Sequence, residues 1–124
     1  METSLSDLMR RAGAEGRRLA ATFPGGVDKD ELPWRVIALF DAEVRGHLER
    51  DRRIEDERDN VLIAAVGLAE TPSDAAPEET ERARRRLVRA IDYWEESVLR
   101  FGLVNRAAAR RGYGTAGDPV SAQA

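Results

Sequence analysis

Cysteine is absent from this chain. That excludes disulfides, thiolate nucleophiles, thiolate zinc sites and iron–sulfur clusters. Long apolar runs are also missing. No run approaches the ~20 residues of a membrane span. The N-terminal segment METSLSDLMRRAGAEGRR lacks the unbroken apolar core of a secretion signal. A cytoplasmic location with no membrane partner is therefore expected. An excess of one charge sign is lacking too. The 23 acidic and 20 basic residues leave a net charge of −3, which gives no global attraction to nucleic acid or to anionic membranes.

Catalytic signatures are equally scarce. No serine lies in a G-x-S-x-G context. There is no P-loop, and Gly112–Gly117 does not fit a dinucleotide fingerprint, with no strand signal before it and no helix signal after it. Carboxylates are abundant, but nothing singles out one pair as acid and base. Neither an enzyme nor a cofactor is expected.

What the chain has in plenty is arginine, alanine and charge. All but one of the basic residues are arginine, the exception being Lys29. Arginine and alanine codons are GC-rich, so this bias points to a high-GC genome such as an actinobacterial one before it points to phosphate recognition. At 124 residues the chain is one domain by length. Its hydrophobes are periodic, which argues against general disorder.

The periodicity predicts helices throughout. Leu5, Leu8, Met9, Ala12, Leu19 and Phe23 follow helical spacing. Ser4 suits the cap, and Pro24-Gly25-Gly26 ends the segment. A second helix is expected over 33–70, with Asp30 as a candidate cap. Between Glu49 and Asp59 only Ile54 is uncharged, and this block holds no glycine or proline. Pairs such as Asp41/Arg45, Glu49/Arg53 and Arg52/Asp56 support a helix through it. A heptad frame carries Phe40, His47, Ile54, Val61 and Leu68 on one set of positions. Ile37, Val44, Asp51, Arg58 and Ala65 occupy the other. Asp51 and Arg58 then read as polar residues that set register in a helical seam. A third helix is expected over 76–101, capped by Ser73 or Asp74 and extending in one reading to 111. Leu87, Ile91, Trp94, Val98 and Phe101 in it follow unbroken 4-3-4-3 spacing. The residues from 112 onward read as a disordered tail.

The expected fold is all-α: a long antiparallel hairpin with an N-terminal packing helix, all within 1–111. The alternative is a four-helix bundle with a break near 58–60, capped by Asp59 or Asn60.

Three functional readings follow. The first is a non-enzymatic adaptor or regulator, self-associating or bound to a protein partner. Its interaction seam is Leu87, Ile91, Trp94, Val98, Phe101 and Ile54. Val36, Leu39, Ile63, Val66, Val88 and Leu99 lie off that seam and need covering by the first helix or by a partner. The second is a nucleic-acid-associated regulator. It would use Arg106, Arg110 and Arg111, joined by Arg10, Arg11, Arg17 and Arg18. A separate basic turn comprises Arg82, Arg84, Arg85, Arg86 and Arg89. The third is a metal site at His47, with Glu43 and Asp51 four residues away on either side.

The segments Val44-Arg45-Gly46-His47-Leu48, Leu68-Ala69-Glu70 and Arg85-Arg86-Leu87-Val88-Arg89-Ala90 resemble the layout of a family of short, uncharacterised helical proteins from Streptomyces and related actinobacteria. The resemblance covers roughly the middle half of the chain. The charged block over 49–59 departs from it. It implies an all-helical fold and adds no activity and no functional residue.

Overall fold

In the computed structural model, which describes residues 4–102, Ser4 opens the first helix. Its Oγ accepts the Asp7 amide at 3.1 Å, so one orphan donor of the helix start is satisfied. Helix α1 spans Leu5–Thr22, α2 Leu32–Leu39, α3 Arg52–Ala69 and α4 Pro77–Ser97. A π-helical turn, Phe40–Val44, and a 3₁₀ turn, Arg45–His47, extend α2, and a second π turn, Val98–Gly102, extends α4. The described residues are all-helical apart from their connections. Each helix packs on the next in the chain, and α4 closes on α1. The fold is thus a four-helix bundle.

The continuous helix expected over 33–70 is not formed. Leu48 and Asp51 are extended, at φ −110°, ψ 142° and φ −136°, ψ 121°, and Asp51 Oδ1 accepts the Arg53 amide at 2.9 Å to start α3. The break lies at 48–51, not near 58–60. The chain folds back there. Arg58 reaches Asp41 at 2.9 and 2.7 Å across 17 residues, a separation that would be about 25 Å along one helix. Arg45 likewise meets Glu55 at 2.6 Å. The reason is burial. A straight helix of that length would leave the apolar faces of α2 and α3 strung along one rod. Folding back lets Val36, Ile37 and Phe40 share a core with Val61, Ala65 and Leu68.

The other caps differ in detail. Asp28, through its carbonyl oxygen, takes the Glu31 and Leu32 amides at 3.0 Å, so Asp30 is not the cap of α2. Ala76 precedes α4 with no side-chain cap, in place of Ser73 or Asp74. Pro77, which needs no partner for a missing N–H, stands in its first turn.

One core fills the bundle. Trp94 and Phe40 lie at its centre, ring centroids 4.6 Å apart, and both are fully buried. Gly13 and Gly16 look like weak points in the sequence of α1. Their role is close approach to α4. A Cβ on Gly16 would stand 3.0 Å from Ile91 Cδ1 and 3.4 Å from Val36 Cγ1. Gly16→Val is therefore expected to overpack this contact and lower stability by about 1–3 kcal/mol in chemical denaturation. Unchanged stability would mean that the two helices are not in close contact.

Candidate interaction surfaces

The 87–101 seam faces inward. Leu87, Ile91, Trp94 and Val98 are fully buried, and so is Ile54 on α3. They meet Phe40, Val36 and the rest of the chain's own core, so in this fold they offer no face to a second protein. Phe101 is half-buried, with the Arg53 guanidinium 3.6 Å from its ring centroid.

The metal reading is overturned. His47 is exposed on the 3₁₀ turn, where the helix that would align it with Glu43 and Asp51 has ended. Glu43 pairs with Arg11 at 3.1 Å, and Asp51 is committed to the α3 cap and to Arg53. No group of three or more metal-ligating side chains occurs among the described residues.

The arginines divide into two kinds. Most are paired within the fold. Arg17 bonds Asp92 and Glu95 on α4 at 3.0 and 2.8 Å. Burial opposes its charge, but those two carboxylates outweigh burial and hold its pKa above the ordinary value. Arg58 is likewise held up by its hydrogen bonds to Asp41. Arg84 donates at 2.8 Å to the carbonyl oxygens of Ala20 and Phe23, satisfying acceptors left over where α1 ends. Arg84 also takes Glu81 as a partner. Arg11 and Arg17 are thus used in packing α1 and Arg18 pairs with Glu15, which leaves Arg10, exposed, as the one of the four α1 arginines with no ion pair among the described residues. Arg106, Arg110 and Arg111, the extension to 111 and the tail lie outside the described residues.

Arg10, Arg35, Arg50 and Arg100 have no carboxylate partner among the described residues, each on its own stretch of chain, whereas on α4 such arginines gather. Arg82, Arg86 and Arg89 are exposed and take no carboxylate partner among the described residues. Arg85 lies 3.9 Å from Glu81, which is already engaged by Arg84. Their spacing places all four on the outer face of α4, away from Leu87, Ile91 and Trp94. Tyr93 continues that face one turn on, 53% exposed.

A different face is apolar. Of the six hydrophobes expected to need cover, Val36 is buried, and Leu39, Val88 and Leu99 pack against the core. Ile63 and Val66 on α3 stay 69% and 39% exposed. Trp34 is 64% exposed on α2. A groove of about 440 Å³ joins Trp34 and Pro33 to Leu62, Val66 and Ala69, with Lys29, Asp30 and Glu70 at its edge. Ile63 stands beside it, one turn from Val66 and from Gly67, whose absent side chain would meet nothing within 4 Å. Asp56 and Asp59 lie on the same outer face of α3, two turns and one turn back from Ile63 respectively.

Sequence periodicity marked Ile63 and Val66 as needing cover but did not single out Trp34 or join them into one face. The usable signal was Ile63, Val66 and Gly67 together on the side opposite Val61, Ala65 and Leu68.

No helix among the described residues is long and apolar enough to cross a membrane. Comparison with protein-family models, with curated proteins and with solved structures finds no match for this chain.

Proposed function

We propose that this protein is a non-enzymatic interaction module that docks a protein partner on the groove between α2 and α3. The observation that carries the reading is the exposure of Trp34 and Val66 on one groove, with exposed Ile63 one turn before Val66 on α3 and outside the groove lining, while the rest of the strong seam is internal. A large exposed aromatic beside β-branched residues is the composition of an interface centre. The charged side chains lining the groove are Asp30 and Glu70 against Lys29, and Asp56 and Asp59 lie further back along the outer face of α3. Asp56 and Asp59 have only long contacts to arginines, at 3.8 and 3.9 Å. The fitting partner is a segment that presents apolar side chains flanked by basic ones. Gly67 lets its backbone come close.

Ile63→Asp tests this without touching the core. Tagged wild-type protein and the variant are each used for affinity capture from host lysate treated with nuclease. One defined protein retained by the wild type and lost by the variant is the expected result. Equal recovery by both, or recovery that collapses with nuclease, would remove this surface as the docking site. Sedimentation of the pure protein runs alongside. A dimer dispersed by Ile63→Asp would identify the partner as a second copy.

A further inference from the structure

We infer that the outer face of α4 is a second, independent binding surface, and that its ligand is the phosphate backbone of a nucleic acid. Across the described residues, carboxylates are placed against arginines: Glu43 with Arg11, Glu15 with Arg18, Glu55 with Arg45, Asp41 with Arg58, Asp92 and Glu95 with Arg17. Arg10, Arg35, Arg50 and Arg100 stand singly without such a pair, and the outer face of α4 is where arginines without a close carboxylate cluster. Arg82, Arg85, Arg86 and Arg89 stand three and four residues apart, so each has like-charged neighbours, an arrangement that destabilises a helix. The carboxylates of the same helix relieve it little. Glu81 serves Arg84 and reaches Arg85 only at 3.9 Å, and Asp92 and Glu95 serve Arg17. Glu78 and Glu79 lie in the first turn, ahead of the cluster, and Glu96 lies beyond Tyr93. Between Arg82 and Arg89, about 10 Å along the axis, the face is purely cationic.

Guanidinium forks match phosphate oxygens in geometry and in charge. The exposed Tyr93 ring, one turn past Arg89, offers a surface on which an unpaired base can stack. A lipid surface fits less well. An interfacial helix must sink its apolar side into the bilayer, and the apolar side of α4, Leu87, Ile91 and Trp94, is locked in the core. The net charge of −3 belongs to the whole chain. A local cluster acts over roughly a Debye length, about 10 Å at 0.1 M salt, so the cluster is what a close phosphate meets.

The test is fluorescence anisotropy of labelled 30-nucleotide single-stranded and duplex DNA against the full chain, from 50 to 200 mM NaCl. Four phosphate contacts give a log–log salt slope of about −3.6 on duplex or −2.8 on a single strand. Arg82→Gln/Arg86→Gln/Arg89→Gln should weaken binding at 50 mM NaCl by at least about tenfold and bring the slope to about −1. The melting temperature should be unchanged or slightly raised, because like-charge repulsion is removed. Tyr93→Ala should weaken single-strand binding and spare duplex binding. Ile63→Asp should leave both intact, which separates this surface from the protein-docking groove. The proposal is overturned by a wild type that binds neither DNA at 50 mM NaCl, or by a triple variant that binds as the wild type does. Binding to vesicles of 30% phosphatidylglycerol without binding to DNA overturns it as well.

Discussion

Trp94→Ala should lower the melting temperature by roughly 15–30 °C. The indole is fully buried and packs against Phe40, ring centroids 4.6 Å apart and planes tilted by 52°. Truncating a buried tryptophan to alanine costs about 3–5 kcal/mol in lost contacts and residual cavity. A domain of this size has a total stability of about 5–15 kcal/mol, and each kcal/mol shifts its melting temperature by roughly 4–8 °C. The variant therefore sits near the edge of folding at room temperature. Trp94→Phe provides the contrast. It keeps an aromatic ring against Phe40 and leaves a smaller void. It also deletes the indole N–H, which is buried without a hydrogen-bond partner among the described residues. Leaving such a donor unpaired costs about 1–3 kcal/mol, so its removal offsets part of the lost packing. We expect Trp94→Phe to cost less than half as much as Trp94→Ala. A loss below about 1 kcal/mol for Trp94→Ala would show that the indole is not in the core.

The seam around Trp94 was legible in the sequence because a helix repeats its inward positions at three and four residues, and no residue from 87 to 98 interrupts that spacing. The Ser4 cap was legible for a similar reason, since capping is chemistry local to one turn. The break at 48–51 was not. Charge pairs score a helix from its own surface, and two of them do form, Asp41/Arg45 at 3.7 Å and Arg52/Asp56 at 3.8 Å. Glu49/Arg53 spans the break, and Arg53 turns to Asp51 and Phe101. What ends the helix is the gain from packing α2 on α3, a contact between residues far apart in the chain. The local clues were Gly46 and an aspartate followed four residues later by Glu55, a start signal inside an apparent helix. The exposed face around Trp34 was hidden for the same reason. Which hydrophobes stay uncovered is decided only after the fold-back has chosen which ones meet.

Asp51→Leu/Arg58→Leu separates the two architectures by the sign of its effect. In an unbroken hairpin both residues would sit in an apolar seam, and leucine would stabilise the protein while loosening its register. In the bundle both are structural partners. Asp51 caps α3, and replacing a capping side chain costs about 1 kcal/mol. The Arg58 side chain is only 13% exposed and forms two bonds to Asp41. Its loss strands that carboxylate beside the core, although solvent reaches it and leucine recovers some apolar contact. A further cost of about 1–2 kcal/mol is expected. The two residues are seven apart, and Asp41 and Arg53 are different partners, so the effects should roughly add, to about 2–3 kcal/mol of destabilisation. Asp51→Asn keeps the cap and gives up the charge facing Arg53, so it should cost less than Asp51→Leu. Stabilisation of the double variant in urea denaturation would favour the continuous helix. Destabilisation of the expected size would mean that the charged block makes a bend. That bend holds α2 against α3 and so sets the groove at which Trp34 and Val66 meet.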